Sequence, residues 1–266
     1  MRRPLRTTAT LESRASVSPT SFLLTLRVED GFPETRPGNF VSLDTSPELA
    51  LPRPFAIAGR PAADTVELLV ELRGPGTRAL AEMSLGSGIA MLGPLGNSFA
   101  RPEPGVLPVL VAGGIGVAGL RLLAIELAET SGALAMLVGA RSAELLLDGC
   151  LPGGNGPGQT VLRTSTDDGS AGHRGPVTDL LGDVLDKEDR PLRIYCCGPP
   201  AMIRAAAALA VERGAPCEAL LEEMMACGVG ACRGCVVDTR SGYRCVCTDG
   251  PVFDVAELRL EEQAVA

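Results

Sequence analysis

Tryptophan is absent from the 266 residues, aromatics make up only 3%, and there is a single histidine. So few rings argue against a stacking surface for single-stranded nucleic acid. Cations are in the minority as well: 24 Lys plus Arg against 32 Asp plus Glu leave a net charge of −8, with no basic stripe to neutralise phosphates. The lone His173 falls in Thr166-Asp167-Asp168-Gly169-Ser170-Ala171-Gly172-His173, a polar, glycine-rich stretch that reads as a loop. With no nucleophile beside it, it gives no basis for a hydrolase. Long apolar runs are also missing. The compact run over 106–112 has the length of a core strand, far short of a membrane span. No secretory apolar segment follows Met1-Arg2-Arg3-Pro4, so the expectation is a cytoplasmic protein.

What is plentiful is cysteine: nine, an odd number, concentrated toward the C-terminus, which suits a reducing compartment better than a disulfide framework. The densest stretch is Met225-Ala226-Cys227-Gly228-Val229-Gly230-Ala231-Cys232-Arg233-Gly234-Cys235, answered by Cys247 in Cys247-Thr248-Asp249-Gly250-Pro251-Val252-Phe253. The spacing Cys-x4-Cys-x2-Cys…Cys is that of plant-type [2Fe–2S] ligation. Gly228, Gly230 and Gly234 are expected to supply the positive φ values that a loop wound around a cluster needs. The other readings are a structural zinc site, with pairs at Cys232/Cys235 and Cys245/Cys247, or buried thiols. Structural zinc favours two Cys-x2–4-Cys hooks, whereas the x4 leg together with the glycines fits a cluster better.

The first hundred residues carry short β-type runs over 21–28, 40–43, 55–58, 66–72 and 89–92, punctuated by Gly, Pro and Asp, with a short helix expected over 77–83. A small antiparallel barrel follows from this pattern. Arg53-Pro54-Phe55-Ala56 places a fixed cation at a strand start, where a diphosphate could be met bidentately. Gly74-Pro75-Gly76-Thr77 opens the helix, and a helix N-terminus attracts anions. Gly93-Pro94-Leu95-Gly96-Asn97 reads as a turn.

From 106 the pattern becomes strand, Gly113-Gly114-Ile115-Gly116-Val117-Ala118-Gly119, Ala/Leu-rich helix, then a second strand over 133–138. This is the parallel α/β signature. Gly114 to Gly119 satisfies G-x-G-x-x-G, yet no acidic residue closes the second strand, where Gly139-Ala140-Arg141 stands instead, so the usual ribose-reading rule fails. Tight strand–helix packing is the alternative reason for these glycines. Ile194-Tyr195-Cys196-Cys197-Gly198-Pro199 ends a later strand at the same sheet edge, and residues 151–158 form a Pro/Gly loop.

Taken together, Arg53-Pro54-Phe55-Ala56, Gly76-Thr77, Gly93–97, Gly113-Gly114-Ile115-Gly116, Cys197-Gly198-Pro199, the 225–235 loop and Cys247-x-Asp249-Gly250-Pro251-Val252-Phe253 resemble the ferredoxin–NADP reductase superfamily. Within it the chain is similar to the electron-transfer subunits of two-subunit, NAD-dependent (type B) dihydroorotate dehydrogenases. The resemblance implies an α/β plus β protein: an FAD-binding antiparallel β-barrel over 1–102, an NAD-binding parallel α/β domain over 103–216 and a [2Fe–2S] domain over 217–266. It implies flavin contacts at Arg53, Pro54, Phe55 and Ala56, at Leu69, Val70 and Glu71, and at Gly76 and Thr77 for the FAD diphosphate. NAD would lie on Gly113, Gly114 and Gly116 with Cys197 near the nicotinamide, and the cluster ligands would be Cys227, Cys232, Cys235 and Cys247. Its partner would be an FMN-containing catalytic subunit, two of each chain forming a heterotetramer in pyrimidine biosynthesis. A reductase subunit serving a hydrogenase, or one of the ferredoxin:NADP oxidoreductase type, is the alternative. Ala56 departs from the family pattern, which has Ser or Thr there, and Gly119 replaces a common Pro.

Overall fold

A computed structural model describes residues 4–28, 31–46, 48–152 and 159–260. The first unit is a six-stranded antiparallel sheet of β1 (Leu5–Ser18), β2 (Ser21–Arg27), β3 (Phe40–Leu43), β4 (Arg53–Ala56), β5 (Thr65–Glu71) and β6 (Gly88–Leu95), in the order β4-β3-β6-β1-β2-β5. Period-two alternation puts Leu24 and Leu26 of β2 into the core with Leu11, Val41, Leu43, Leu68 and Met91. Each such side chain contributes about 1.5–3 kcal/mol of burial. The two edge strands meet as the sheet curls: Ala58 and Gly59, just past β4, bond to the Glu67 carbonyl at 2.8 and 3.3 Å, and Glu67 N–H returns to Gly59 at 2.9 Å. A nearly closed barrel results, with α1 (Pro75–Glu82) beside it.

Two expectations change here. Strand β6 runs on to Leu95, so Gly93-Pro94-Leu95 belongs to a strand and only Gly96 and Asn97 turn. The 14-residue β1 has no counterpart in the expected runs, because its outward Thr, Glu, Ser and Arg residues hide the apolar alternation.

The second unit is a seven-stranded sheet. It contains β7 (Leu107–Gly113), β8 (Ala133–Ala140), β9 (Gln159–Thr166), β10 (His173–Arg174), β11 (Leu192–Cys197), β12 (Cys217–Leu220) and β15 (Val252–Asp254). The order β10-β9-β8-β7-β11-β12-β15 is parallel except for β15, which runs against β12. Three helices cover it: α2 (Val117–Thr130), α3 (Val177–Lys187) and α4 (Pro200–Arg213). Chain direction across the sheet reverses between β7 and β11, and ligands of such sheets bind at the carboxyl ends beside that switch point. Residues 153–158 of the expected Pro/Gly loop lie outside the described residues. His173 is in the short strand β10 rather than a loop, with Nε2 3.0 Å from Asp179 Oδ2.

Helix α2 lies between sheet and barrel, which explains why it is apolar on more than one side. Its Arg121 is largely buried and holds the units together: Nη1 donates to the Ala58 carbonyl at 2.9 Å and to Glu67 Oε2 at 2.6 Å, and Nε donates to the Cys150 carbonyl at 2.7 Å. The buried Tyr195 hydroxyl donates to the Ala100 carbonyl at 2.9 Å, and its ring meets Phe99 edge-on at 5.5 Å.

The C-terminal segment adds the loop over 222–235 and the hairpin of β13 (Val236–Thr239) and β14 (Gly242–Cys245). Its strands β12 and β15 complete the second sheet. It is also fastened to the barrel, since the two proline-containing motifs noted in the sequence touch. Asn97 N–H donates to the Gly250 carbonyl at 2.7 Å, its Nδ2 to the carbonyls of Val252 and Asp249 at 2.8 and 3.1 Å, and its Oδ1 accepts from Val252 N–H at 2.9 Å. Gly96, with φ 77°, leaves no room there for a side chain against Pro251.

Candidate redox sites

The cysteine loop winds as the ligand spacing requires, by a partly different route. Gly228 and Gly230 take positive φ (67° and 80°), but the third left-handed position is Arg233 (φ 53°), not Gly234. Backbone N–H groups turn inward: Val229 and Cys232 donate to Cys227 Sγ at 3.5 and 3.4 Å, Gly234 to Cys232 Sγ at 3.4 Å, and Gly230 to Cys247 Sγ at 3.2 Å. The amides of Cys232 and Val229 pull the Cys227 thiol down to about 6, toward the thiolate that binds iron. Burial, together with the Cys235 thiol beside it, pushes Cys247 up to about 12.

The four sulfurs fall into neighbouring pairs, Cys227 with Cys232 and Cys235 with Cys247. Two pairs of soft donors ringed by N–H groups fit a two-iron cluster. Cys245, at the end of β14, lies near the Cys235 and Cys232 thiols, but its backbone is held by Asp249: its N–H donates to Asp249 Oδ2 at 2.7 Å and its carbonyl accepts from Asp249 N–H at 2.8 Å. That closed turn is what the Asp-Gly-Pro frame accomplishes: it presents Cys247 to the loop.

The loop rests on the barrel. A Cβ at Gly228 would stand 3.4 Å from Leu95 Cδ1 and 3.9 Å from Ser42 Cβ. Ser42, on β3, pairs directly with Pro54 of β4. One strand therefore separates the cysteine loop from Arg53-Pro54-Phe55-Ala56, a spacing of about 5 Å.

The expected flavin residues gather at the two joined barrel edges. All four side chains of β4 are partly exposed. Gly76 packs bare backbone against Arg53, where a Cβ would lie 3.3 Å from Arg53 Cγ and 2.8 Å from Thr45 Oγ1. Thr45 Oγ1 is itself buried without a hydrogen-bond partner. Arg53 Nη1 bonds to the Leu51 carbonyl at 2.6 Å, leaving the rest of its fork available. The Thr77 hydroxyl caps α1, accepting from Arg73 and Gly74 N–H at 2.9 and 3.1 Å, so Thr77 would meet a ligand through its backbone N–H. An arginine fork, first-turn amides and a bare glycine make a fitting seat for a diphosphate. Leu69 and Val70 are buried, their side chains committed to the cores on either side of the barrel wall, leaving only backbone for a flavin. Glu71 reaches a cleft.

That cleft, about 710 Å³, lies between the barrel edge and the switch point of the second sheet and is lined by Gly113, Gly114, Gly116, Arg141, Asp167 and Pro199 among others. The glycines of the G-x-G-x-x-G run divide in role. Gly114 (φ 53°) faces open space. A Cβ at Gly116 would collide with the Cys197 carbonyl, and one at Gly119 would sit 3.0 Å from Cys197 Sγ, so these two serve close packing. The Cys197 side chain is fully buried beneath α2, and burial pushes its thiol up. The chain meets the cleft instead through the Gly198 turn.

Charged groups absent from the expected site also line the cleft, among them Arg73, Glu222 and Glu223, each just after a strand end. Arg73 pairs with Glu71. Glu222 is reached by water but deep between the walls; desolvation pushes its carboxyl above the usual range, with Arg73 opposing and Glu71 adding to the shift. Between the unfolded value of about 4.3 and this raised value the folded state binds more protons, so stability falls as pH rises through that window. Glu222→Gln is expected to raise Tm at pH 8 by about 2 °C at most, given solvent screening in the cleft, and to leave it unchanged below pH 4. Thermal unfolding at both pH values checks this; an equal shift at both would exclude the charge as its cause.

Known proteins resemble the chain at each level. Residues 222–259 match the model of the iron–sulfur cluster binding domain of dihydroorotate dehydrogenase B. The electron transfer subunit of dihydroorotate dehydrogenase B (NAD+) from Shouchella clausii is 36% identical over 94% of this chain and 97% of its own length. Its counterpart from Caldanaerobacter subterraneus is 33% identical over 84% and 86%. The chain belongs to the family of dihydroorotate dehydrogenase B electron-transfer subunits. Among solved structures, a chain of an NADH-dependent reduced ferredoxin–NADP oxidoreductase superposes with TM-score 0.83 at 27% identity, over 96% of this chain and 90% of that one. A ferredoxin reductase of carbazole 1,9a-dioxygenase, at 20% identity and TM-score 0.69 over 80% of this chain and 67% of that one, shares the fold. Family membership makes the chain an oxidoreductase subunit.

Proposed function

We propose that this subunit carries electrons from a dihydroorotate-oxidising catalytic subunit through a [2Fe–2S] cluster and FAD to NAD+, within cytoplasmic pyrimidine biosynthesis. When bound, FAD exchanges electrons singly with a cluster and in pairs with a nicotinamide, which is why it belongs between them. Cys227, Cys232, Cys235 and Cys247 hold the irons. Arg53, Gly76 and Thr77 seat the FAD diphosphate, β4 and the β5 backbone at Leu69 and Val70 line the flavin, and Gly113–Gly116 receive NAD. The units 1–102, 103–216 and 217–266 thus take flavin, nucleotide and cluster in turn, the last sharing strands with the second sheet. The observation that carries this reading is the position of Ser42, between Gly228 of the cysteine loop and Pro54 of the flavin strand.

Cys232 is the exposed member of the ligand set, and Val229 (45% exposed) and Tyr243 (78%) present apolar surface on the same loop and hairpin. This is the face for the FMN-containing catalytic subunit, in a heterotetramer with two of each chain. Coexpression with such a subunit tests the proposal. The expected product carries about one FAD and two irons per chain of this protein and reduces NAD+ with dihydroorotate. Colourless protein containing zinc, or dihydroorotate-linked NAD reduction that persists when this chain is omitted, would overturn it. The likeness to the NADH-dependent oxidoreductase supports a second reading, service to another redox partner such as a ferredoxin or a hydrogenase. Identity of 36% across 94% of the chain, against 27%, favours dihydroorotate.

A further inference from the structure

The chain as a whole is acidic, but the segment that frames the cysteine loop is not. Residues 232–246 carry Arg233, Arg240 and Arg244 against the single acid Asp238, a local charge of +2 within a net charge of −8. Arg233 lies between the proposed ligands Cys232 and Cys235 and within electrostatic reach of the Cys245 thiol. Arg244 stands opposite Val237, the second residue after Cys235, and Arg240 opens the turn at the tip of the β13–β14 hairpin. All three therefore lie within about 16 Å of Cys235 measured along β13.

These cations are not used up inside the fold. All three are exposed, and none forms an ion pair with the described residues. Arg240 donates through Nε alone, to the Ala256 carbonyl at 2.8 Å, and Arg244 has only a 3.5 Å contact with the Ser241 hydroxyl. The neighbouring acids are occupied: Asp238 is half-buried and engaged, and Asp249 accepts from the Cys245 N–H at 2.7 Å. Arg233 also holds a left-handed backbone (φ 53°) that glycine would adopt without strain, although Gly234 is its neighbour. Strain accepted at a cation with no partner in its own chain points to a task outside the chain. Apolar surface from Val229, Val236 and Tyr243 runs through the same loop and hairpin, and an apolar patch with a charged margin is the anatomy of an interface.

We infer that Arg233, Arg240 and Arg244 form a basic rim that receives a carboxylate-rich patch around the redox group of the catalytic subunit, and that this rim orients docking. The rest of this acidic chain repels such a patch and the cysteine face attracts it. The encounter is thereby steered to the one orientation that brings the partner up to the exposed Cys232. Arginine keeps its charge at every working pH and grips a carboxylate with two parallel N–H groups, so the rim works without any proton to gain or lose. The inference rests on the proposed partner and adds the chemistry of the partner's face.

The test is the stability of the coexpressed complex, diluted in series and followed by sedimentation at about 0.05 M and about 0.5 M NaCl, the higher of which screens exposed charges. For the parent, Kd is expected to rise at least about tenfold between the two salts. Arg233→Gln combined with Arg244→Gln should weaken the complex about tenfold at low salt and cut the response to salt to about threefold or less. Arg233→Lys combined with Arg244→Lys should keep the parental response. Parental FAD and iron content shows that a variant is folded, and if the glutamine pair loses its cluster, the parent and the lysine pair decide. A parental Kd that salt leaves unchanged, or a folded glutamine pair that binds and responds to salt as the parent does, overturns the basic rim and leaves the partner in place. A parent chain that forms no complex overturns the partner and this inference together.

Discussion

Replacing Cys235 by serine is expected to reduce dihydroorotate-linked NAD reduction at least about 100-fold, with loss of iron and sulfide. Cys235 is almost fully buried, and its thiol neighbours that of Cys247. Serine would bring a harder, less polarisable donor and a shorter side chain to a site shaped for sulfur, where the packed core behind it prevents adjustment. The same variant should keep its FAD and reduce a dye with NADH at the parental rate, since the cleft and the diphosphate seat lie on the other side of β3. Cys245→Ser is the matched control. Its position is set by backbone bonds to Asp249 rather than by its sulfur, so cluster content should stay intact. Iron, sulfide and visible absorption measure the first claim, and a Cys235→Ser protein with full cluster and full activity would remove Cys235 from the ligand set.

The second large effect concerns Arg53. Arg53→Ala should weaken FAD binding about 100-fold, the loss of two charge-assisted hydrogen bonds at roughly 1.5 kcal/mol each. Arg53→Lys should recover only part of this, because an ammonium cannot meet a diphosphate with two parallel N–H groups. Fluorescence of released flavin measures the affinity. Cluster content provides the control, since Arg53 sits at the far end of β4 from the strand's pairing with Phe40. FAD affinity within threefold of the parent in Arg53→Ala would place the diphosphate elsewhere.

Much of this architecture was legible from local pattern. The apolar run ending in Gly113, the alternation in β2 and Pro75 at a helix start are short-range signals, and the structure forms the corresponding elements within a few residues. What escaped depends on partners distant in the chain. Strand β1 looks polar because half of its residues face water, and β6 continues through Gly93-Pro94 because β1 and β3 hold it on both sides. Arg233 rather than Gly234 takes the left-handed turn, a choice invisible to composition. Cys197 went the opposite way: the motif drew attention to its thiol, whereas the fold uses the bare turn that follows.

The junction at Asn97 has a consequence for the assembled enzyme. Four hydrogen bonds from one asparagine join the barrel to the segment that delivers Cys247, so the gap an electron must cross inside this subunit is fixed when the chain folds. On the proposed reading, a catalytic partner then has a single geometric task, to bring its own redox group up to the Cys232 rim. Exchange of one partner for another would alter the rate of electron entry and leave the onward hop to flavin as it was.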